Sequence, residues 1–172
     1  MHSKLVVGLT VDIIGIQQMF SFSKIIKFES NDLKRFGSSL SRAHRKQIDN
    51  GIDANGNVFK KYSASYRKRK AAGKYKNQVS KKVDPPNLKL TGKMMKSFDV
   101  IETSVKNEIS IKYGITDSKQ SQKMNDNNAK RLVADKQAVG PLVEKEIVKG
   151  FADQIGKNLS RMTDTTVVVN IG

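Results

Sequence analysis

One long segment of the chain contains no acidic residue, and this segment limits what the polypeptide can fold into. Residues 54–83 hold ten Lys and Arg side chains and no Asp or Glu. Like charges this close together repel one another and resist burial unless each is paired. Turn-forming residues lie within and after it, from Ala71-Ala72-Gly73 to Pro85-Pro86. Residues 67–87 are therefore expected to form a long, basic, mobile loop.

The ten bases of this segment are the predicted contact residues for an anionic partner. Lys and Arg neutralise phosphates, and rings such as Tyr62, Tyr66 and Tyr75 can stack on bases. The same rings can instead pack inward and leave the Lys and Arg side chains in solvent. An acidic protein surface would then serve equally well as the anionic partner. The predicted contact residues are Lys60, Lys61, Arg67, Lys68, Arg69, Lys70, Lys74, Lys76, Lys81 and Lys82.

The charge of the whole chain also indicates an acidic partner. The 172 residues include 32 Lys plus Arg against 16 Asp plus Glu, a formal net charge of +16. Self-repulsion of this size destabilises a compact state, and nucleic acid, an acidic protein surface or an anionic membrane would each relieve it, so composition alone does not choose between them. The length suits a single domain over residues 1–172, and a hydrophobic content of 37% suits a globular fold.

Hydrophobic periodicity predicts two long helices. The first is expected to run from an N-cap at Ser30 or Asn31 to Asn50-Gly51, and the second to begin at Pro141. Their apolar stripes are Leu33, Phe36, Leu40, His44 and Ile48 in the first helix, and Val143, Ile147, Phe151, Ile155 and Leu159 in the second.

Alternating and β-branched residues predict strands around these helices. Val100-Ile101 and Ile109–Tyr113 read as a hairpin, in which Ile109, Ile111 and Tyr113 face inward. Residues 4–28 and 165–171 predict further strands. A short helix capped by Thr91 should precede the hairpin, and residues 114–137 should form a solvated helix or a partly ordered segment. The expected fold class is α+β, with an antiparallel sheet packed against two long helices.

The sequence offers few groups for catalysis or for holding a metal. His2 and His44 are the only histidines, and neither has the spacing of a catalytic triad or a metal site. Asp117, Asp126 and Asp135 are spaced evenly along the chain, whereas metal-dependent phosphodiester cleavage needs clustered ligands. There is no Cys, which excludes thiolate chemistry. The chain is predicted not to be an enzyme and to use no cofactor or metal.

Membrane insertion and secretion are not expected either. No apolar stretch approaches the roughly 20 residues that span a bilayer. The apolar run that follows Lys4 is interrupted by Asp12, and no small-residue cleavage site follows it cleanly. The prediction is therefore a protein with no membrane partner and no secretory leader.

Two segments in the middle of the chain resemble a known pattern. The first is Gly56-Asn57-Val58-Phe59-Lys60-Lys61-Tyr62-Ser63, followed by Tyr66 and Lys68. The second is Leu88-Lys89-Leu90-Thr91-Gly92-Lys93-Met94-Met95-Lys96-Ser97-Phe98. With the predicted hairpin and final helix, this order is similar to the virion-morphogenesis and tail-completion proteins of tailed bacteriophages. The resemblance covers roughly residues 30–160, with motif-level matches at about 50–98. Residues 113–136 depart from it, because they are polar where many relatives are hydrophobic.

The resemblance implies a structural virion protein of the phage neck, either a head–tail connector or a tail terminator. It implies a homo-oligomeric ring, commonly a hexamer, that completes the tail and joins it to the head. The implied partners are connector or portal-side proteins, tail-tube proteins and the packaged DNA in the channel. The implied locations are the neck or tail of the virion and, during assembly, the host cytoplasm. The alternative hypothesis is a small, basic nucleic-acid-binding protein.

Overall fold

The computed structural model describes residues 8–12, 17–20, 27–105, 109–133 and 138–163. These residues form a four-stranded sheet and five helices, which confirms the α+β class. The strands are β1 (Gly8–Asp12), β2 (Gln17–Phe20), β3 (Phe98–Val105) and β4 (Ile109–Ile115). The helices are α1 (Ser30–Asp49), α2 (Ala64–Ala71), α3 (Lys93–Lys96), α4 (Ser118–Arg131) and α5 (Pro141–Thr163).

The sheet has the strand order β2-β1-β4-β3. β3 and β4 form the predicted antiparallel hairpin, with Phe98 opposite Ile115. β1 and β2 are also antiparallel, whereas β1 lies parallel to β4 and places Leu9 opposite Ile109. The sheet is therefore mixed, since a strand from early in the chain joins the free edge of the hairpin.

The hairpin supplies one wall of the core. Ile109, Ile111 and Tyr113 of β4 are at most 3% exposed, so the predicted alternation is confirmed. α1 packs across both strands of the hairpin. On β3 the register shifts between Val100 and Glu102, and Ile101 between them is 46% exposed.

α1 carries the predicted apolar stripe, and all five of its side chains are buried. The helix begins at Ser30, with Glu29 as its N-cap and without a side-chain capping bond. The prediction of a cap at Ser30 or Asn31 is therefore wrong. The Glu29 carbonyl already accepts the first helical bond, from the Leu33 amide at 3.0 Å, which places Ser30 inside the helix.

α5 begins at Pro141 as predicted and packs mainly against α1. The rings of Phe28, Phe36 and Phe151 meet here at centroid distances of 5.3–5.9 Å. The two helices also share a short ion pair, in which Lys157 Nζ lies 2.7 Å from an Asp32 carboxylate oxygen. Aromatic packing and this ion pair hold the two long helices side by side.

The apolar stripe of α5 is predicted correctly in its first half and incorrectly at Ile155. Val143 is buried, and Ile147 and Phe151 pack against the core. Ile155, however, is 39% exposed. Gln154 takes the inward position instead, because its amide donates to the Lys27 carbonyl at 2.7 Å. The side chain of Leu159 lies outside the described part of the structure.

The two remaining predicted helical segments have different caps from one another. α3 begins after Gly92, which has a φ of 76° and makes no side-chain capping bond, so the predicted Thr91 cap is wrong. α4 is a solvated helix within residues 114–137, one of the two forms predicted for that segment. The Asp117 carboxylate caps it by accepting from the Gln120 amide at 2.9 Å. Only Met124 of α4 is buried. The strand predicted at 165–171 lies outside the described residues.

Candidate functional site

Nine of the ten predicted contact residues lie on the surface. Part of the basic segment forms α2, whose last turn carries Lys68, Arg69 and Lys70. Cations at a helix C-terminus interact favourably with the helix dipole, so this placement stabilises the short helix. The exposed members of the set are Lys60, Lys61, Arg67, Lys68, Arg69, Lys74, Lys76, Lys81 and Lys82.

Lys70 is the exception, and its prediction as a contact residue needs correction. Its side chain is 0% exposed. The ammonium donates to Asn87 Oδ1 at 2.9 Å and to the Tyr62 hydroxyl at 3.2 Å, and it lies 4.7 Å from the centre of the Tyr62 ring. Burial lowers the pKa of Lys70 to about 8. Lys70 therefore holds the scaffold together and cannot touch a partner directly.

The rings of the segment's tyrosines pack against one another at tilted angles. Tyr62 and Tyr66 have ring centroids 4.8 Å apart, and Tyr66 and Tyr75 are 5.4 Å apart. Cations lie beside the two outer rings, with Arg69 4.9 Å from the Tyr75 ring and Arg131 5.1 Å from the Tyr62 ring. The three rings therefore contact groups of the same chain, which favours inward packing over stacking on bases.

Hydrogen bonds form within the basic loop and between the basic loop and the rest of the protein. The Gln78 amide donates to the carbonyls of Lys70 and Ser80 at 2.6 and 2.8 Å. The Val79 amide donates to the Leu90 carbonyl at 2.7 Å. Lys82 Nζ donates to the Asp49 carbonyl, at the C-terminus of α1, at 2.8 Å. The loop thus lies against the end of α1, while its expected mobility stays a prediction.

A second group of cations, which the sequence reasoning did not single out, lines a groove beside this loop. The groove lies between the C-terminal half of α1 and residues 89–96 and has a volume of about 610 Å³. One carboxylate, that of Asp49, is present among its lining residues. The five cationic residues of this groove, called the cationic groove below, are Arg42, Arg45, Lys46, Lys89 and Lys96.

Asp49 cannot neutralise the cationic groove by itself. Its carboxylate lies 3.9 Å from Lys89 Nζ, a long contact between two partly exposed side chains. It also accepts a hydrogen bond from Asn87 Nδ2 at 3.3 Å. Exposed ion pairs of this kind contribute little to stability, so the positive charge of the groove stays largely unpaired within the described residues.

Part of the cationic groove could have been found from the sequence. Arg42, Arg45, Lys46 and Asp49 recur at spacings of three and four, which places them on one face of α1. Lys89 and Lys96 reach the groove only through the tertiary fold. The wall opposite α1 is partly apolar, with Met95 and Val79, the latter 61% exposed.

A second cavity, of about 580 Å³, lies between α4 and residues 88–95. Leu88, Leu90 and Met94 give it an apolar wall, and Lys123 and Lys130 of α4 face them. Its remaining cation, Arg131, is already engaged, because its Nε donates to the Lys60 carbonyl at 3.2 Å. This cavity therefore offers fewer free cations than the cationic groove.

His44, which belongs to the predicted apolar stripe of α1, lies in the core. His44 is 0% exposed, with Nε2 3.1 Å from the Val133 carbonyl and Nδ1 3.3 Å from the Tyr113 hydroxyl. Burial lowers the pKa of His44 to about 4. A neutral imidazole with both nitrogens bonded inside the protein has no access to a substrate, so its role here is structural.

The described residues show neither a metal cluster nor a membrane-spanning helix. Within them, no group of three or more His, Cys, Asp or Glu side chains is arranged to hold a metal ion. Asp117 and Asp126 lie at the N-cap and within α4, while Asp135 lies outside the described ranges. No described helix has both the length and the apolar character needed to cross a bilayer.

The chain was compared with protein-family models, with curated proteins and with solved structures. None of the three comparisons found a match.

Proposed function

We propose that this protein is a non-catalytic docking subunit of a tailed-phage neck, which assembles into a ring and terminates or completes the tail. The cationic groove carries this proposal. Five cationic side chains line one concavity with a single carboxylate, in a chain whose formal net charge is +16. A surface of this kind is stabilised when an anionic partner covers it.

The two segments that resemble phage proteins are bonded to each other, which supports treating them as one unit. The Tyr62 hydroxyl of the first segment accepts from the Leu88 amide of the second at 3.0 Å. Phe59 and Phe98, from the same two segments, are both buried in the core. The residues of these two segments therefore form a scaffold. That scaffold contributes Lys89 and Lys96 to the cationic groove.

The mass of the purified protein tests the ring. Native mass spectrometry at several protein concentrations should give one closed oligomer, and the resemblance leads us to expect six copies. Electron microscopy of phage particles assembled without this chain should then show tails that are unfinished or detached from heads. A protein that stays monomeric, together with normal tailed particles in its absence, would contradict the proposal.

Nucleic-acid binding is the second candidate function, and the same groove favours it. The five cations of the groove, if they contact five phosphates, would give a log–log salt slope for duplex binding of about −4 to −5. A slope of that size without ring formation would favour the nucleic-acid-binding protein. A shallow slope together with a closed ring would favour the neck subunit.

A further inference from the structure

We infer that the cationic groove binds an acidic, extended segment of a partner protein, with carboxylates on the arginines of α1 and an apolar side chain against the opposite wall. This inference rests on the proposed docking function and names the chemistry of its partner. It assigns the groove to a protein segment rather than to the phosphate backbone of DNA. Charge, spacing and the composition of the opposite wall each contribute to the assignment.

The arginines supply directional binding groups at a defined spacing. Arg42 and Arg45 are three residues apart on α1, so their side chains leave the helix roughly 5–6 Å apart at Cβ. Alternate residues of an extended peptide are separated by about 6.6 Å. Acidic residues at alternate positions can therefore each meet one guanidinium, which pairs with a carboxylate through two parallel hydrogen bonds.

The lysines extend the anionic binding surface beyond the arginines. Lys46 lies one residue beyond Arg45 on α1, and Lys96 approaches from the end of α3. Lys89 keeps only its long contact with Asp49 and is 38% exposed, so it can move to an incoming carboxylate at little cost. Cations thus reach the occupant from both walls of the groove.

The wall opposite α1 distinguishes a peptide from a nucleic-acid backbone. Val79 is 61% exposed and belongs to this wall, because its amide donates to the Leu90 carbonyl at 2.7 Å. Successive side chains of an extended peptide point to opposite faces. The intervening apolar side chain would therefore lie across the groove from the arginines, cover Val79 and remove it from water. A row of phosphates has no apolar group to place there, and a rigid duplex presents its phosphates on a convex surface. The groove therefore suits a peptide better than DNA.

The test compares two labelled probes on the purified protein. One is a short peptide of alternating Glu and Leu, and the other is a short DNA duplex, both followed by fluorescence anisotropy at about 0.15 M salt. A peptide in which Gln replaces every Glu controls for apolar binding alone. The variant Arg42→Gln/Arg45→Gln removes two charges from the groove. Its matched control, Lys145→Gln/Lys149→Gln, removes two charges from the exposed face of α5, outside the cationic groove and the predicted contact residues.

The groove variant should weaken binding of the Glu–Leu peptide by at least about tenfold. The control variant should weaken it much less, and both should weaken duplex binding to a similar extent. Val79→Ser should weaken binding of the peptide and leave binding of the duplex unchanged. Circular dichroism melting identifies any variant that fails to fold, and Val79→Ser then provides an independent test at an exposed position.

Three results would overturn the inference. Equal loss of peptide binding in the groove and control variants would mean non-specific attraction. A groove variant that loses duplex binding more than peptide binding would assign the groove to phosphates. Absence of peptide binding at this salt concentration would mean that the groove is not a binding site for an acidic peptide. If the protein forms a closed ring but the groove does not bind the peptide, this inference alone is contradicted. If the protein is a monomer that binds the peptide selectively, the neck role alone is contradicted.

Discussion

Acidification should destabilise this protein through His44, well above the pH at which most carboxylates protonate. The Val133 carbonyl can only accept a hydrogen bond, so Nε2 of His44 carries the proton and donates to it at 3.1 Å. Nδ1 then accepts from the Tyr113 hydroxyl at 3.3 Å. The folded protein thus holds the neutral ring, whereas the unfolded chain leaves His44 free to take up a proton.

The size and sign of this effect follow from the pKa of His44. Burial lowers it from 6.5 to about 4, which corresponds to roughly 3 kcal/mol of unfolding free energy. Between these two values the unfolded chain binds more protons than the folded one, so stability rises with pH. The contribution of His44 is therefore complete above pH 6.5 and is lost as the pH falls towards 4.

Urea unfolding of the wild type and of His44→Gln at several pH values between 7.5 and 4 measures this contribution. The variant should be less stable at pH 7, because it disturbs a buried bonded site, but it lacks the titrating ring. The difference in unfolding free energy between wild type and variant should shrink by roughly 3 kcal/mol on going to pH 4. Effects of carboxylates common to both proteins cancel in this difference.

Two outcomes would refute the reasoning. A wild-type minus variant difference that does not change with pH would mean that His44 titrates alike in the folded and unfolded chains. An NMR titration of the folded protein that places the pKa of His44 near 6.5 would show directly that the ring is not desolvated. Either result would also remove the structural role assigned to this residue.

Three further predictions concern the scaffold. Gly150→Ala should lower the unfolding free energy by about 1–3 kcal/mol in thermal melts, because its Cβ would overlap the Phe36 ring. Gly156→Ala on the same helix meets nothing within 4 Å and should raise stability by up to about 1 kcal/mol, so a loss there would contradict the packing argument. Gln47→Ala should cost roughly 3 kcal/mol in urea unfolding, since the buried amide bonds three backbone groups. The unfolding free energy of the wild type minus that of Lys70→Met should rise from pH 8 to 10.5, because the unfolded chain holds the Lys70 proton longer, and a constant difference in the same assay would contradict the burial of Lys70.

Regular elements with a strong local pattern could be predicted from the sequence. The stripe of α1 and the alternation of β4 state which side of each element is buried, because each repeats with the period of its own backbone. The caps of α1 and α3 could not be predicted as reliably. Several neighbouring polar residues can cap a helix, and the geometry selected Glu29 and Gly92.

The candidate site could be predicted only in part, since composition does not state which cation is buried. Lys70 resembles its nine exposed neighbours in sequence, yet Asn87, 17 residues later, gives its ammonium a buried partner. The cationic groove has the same origin. Three of its five cations lie on one face of α1 and can be predicted from their spacing. Lys89 and Lys96 join the groove only through the path of the chain after the loop.

α1 connects the buried core to the proposed docking surface. Its inner face carries His44 and the apolar stripe, while Arg42 and Arg45, two residues before and one residue after His44, line the cationic groove. The hydrogen bonds of His44 on the inner face therefore hold α1 in place, and with it Arg42 and Arg45 on the outer face. Preorganised cations bind an anionic segment at a lower entropic cost. Acid conditions that protonate His44 should then reduce groove binding only as the protein unfolds. A loss of peptide affinity between pH 7 and about 6, where the fold is intact and the Glu side chains of the peptide are still ionised, would instead show that the groove and the core are not coupled in this way.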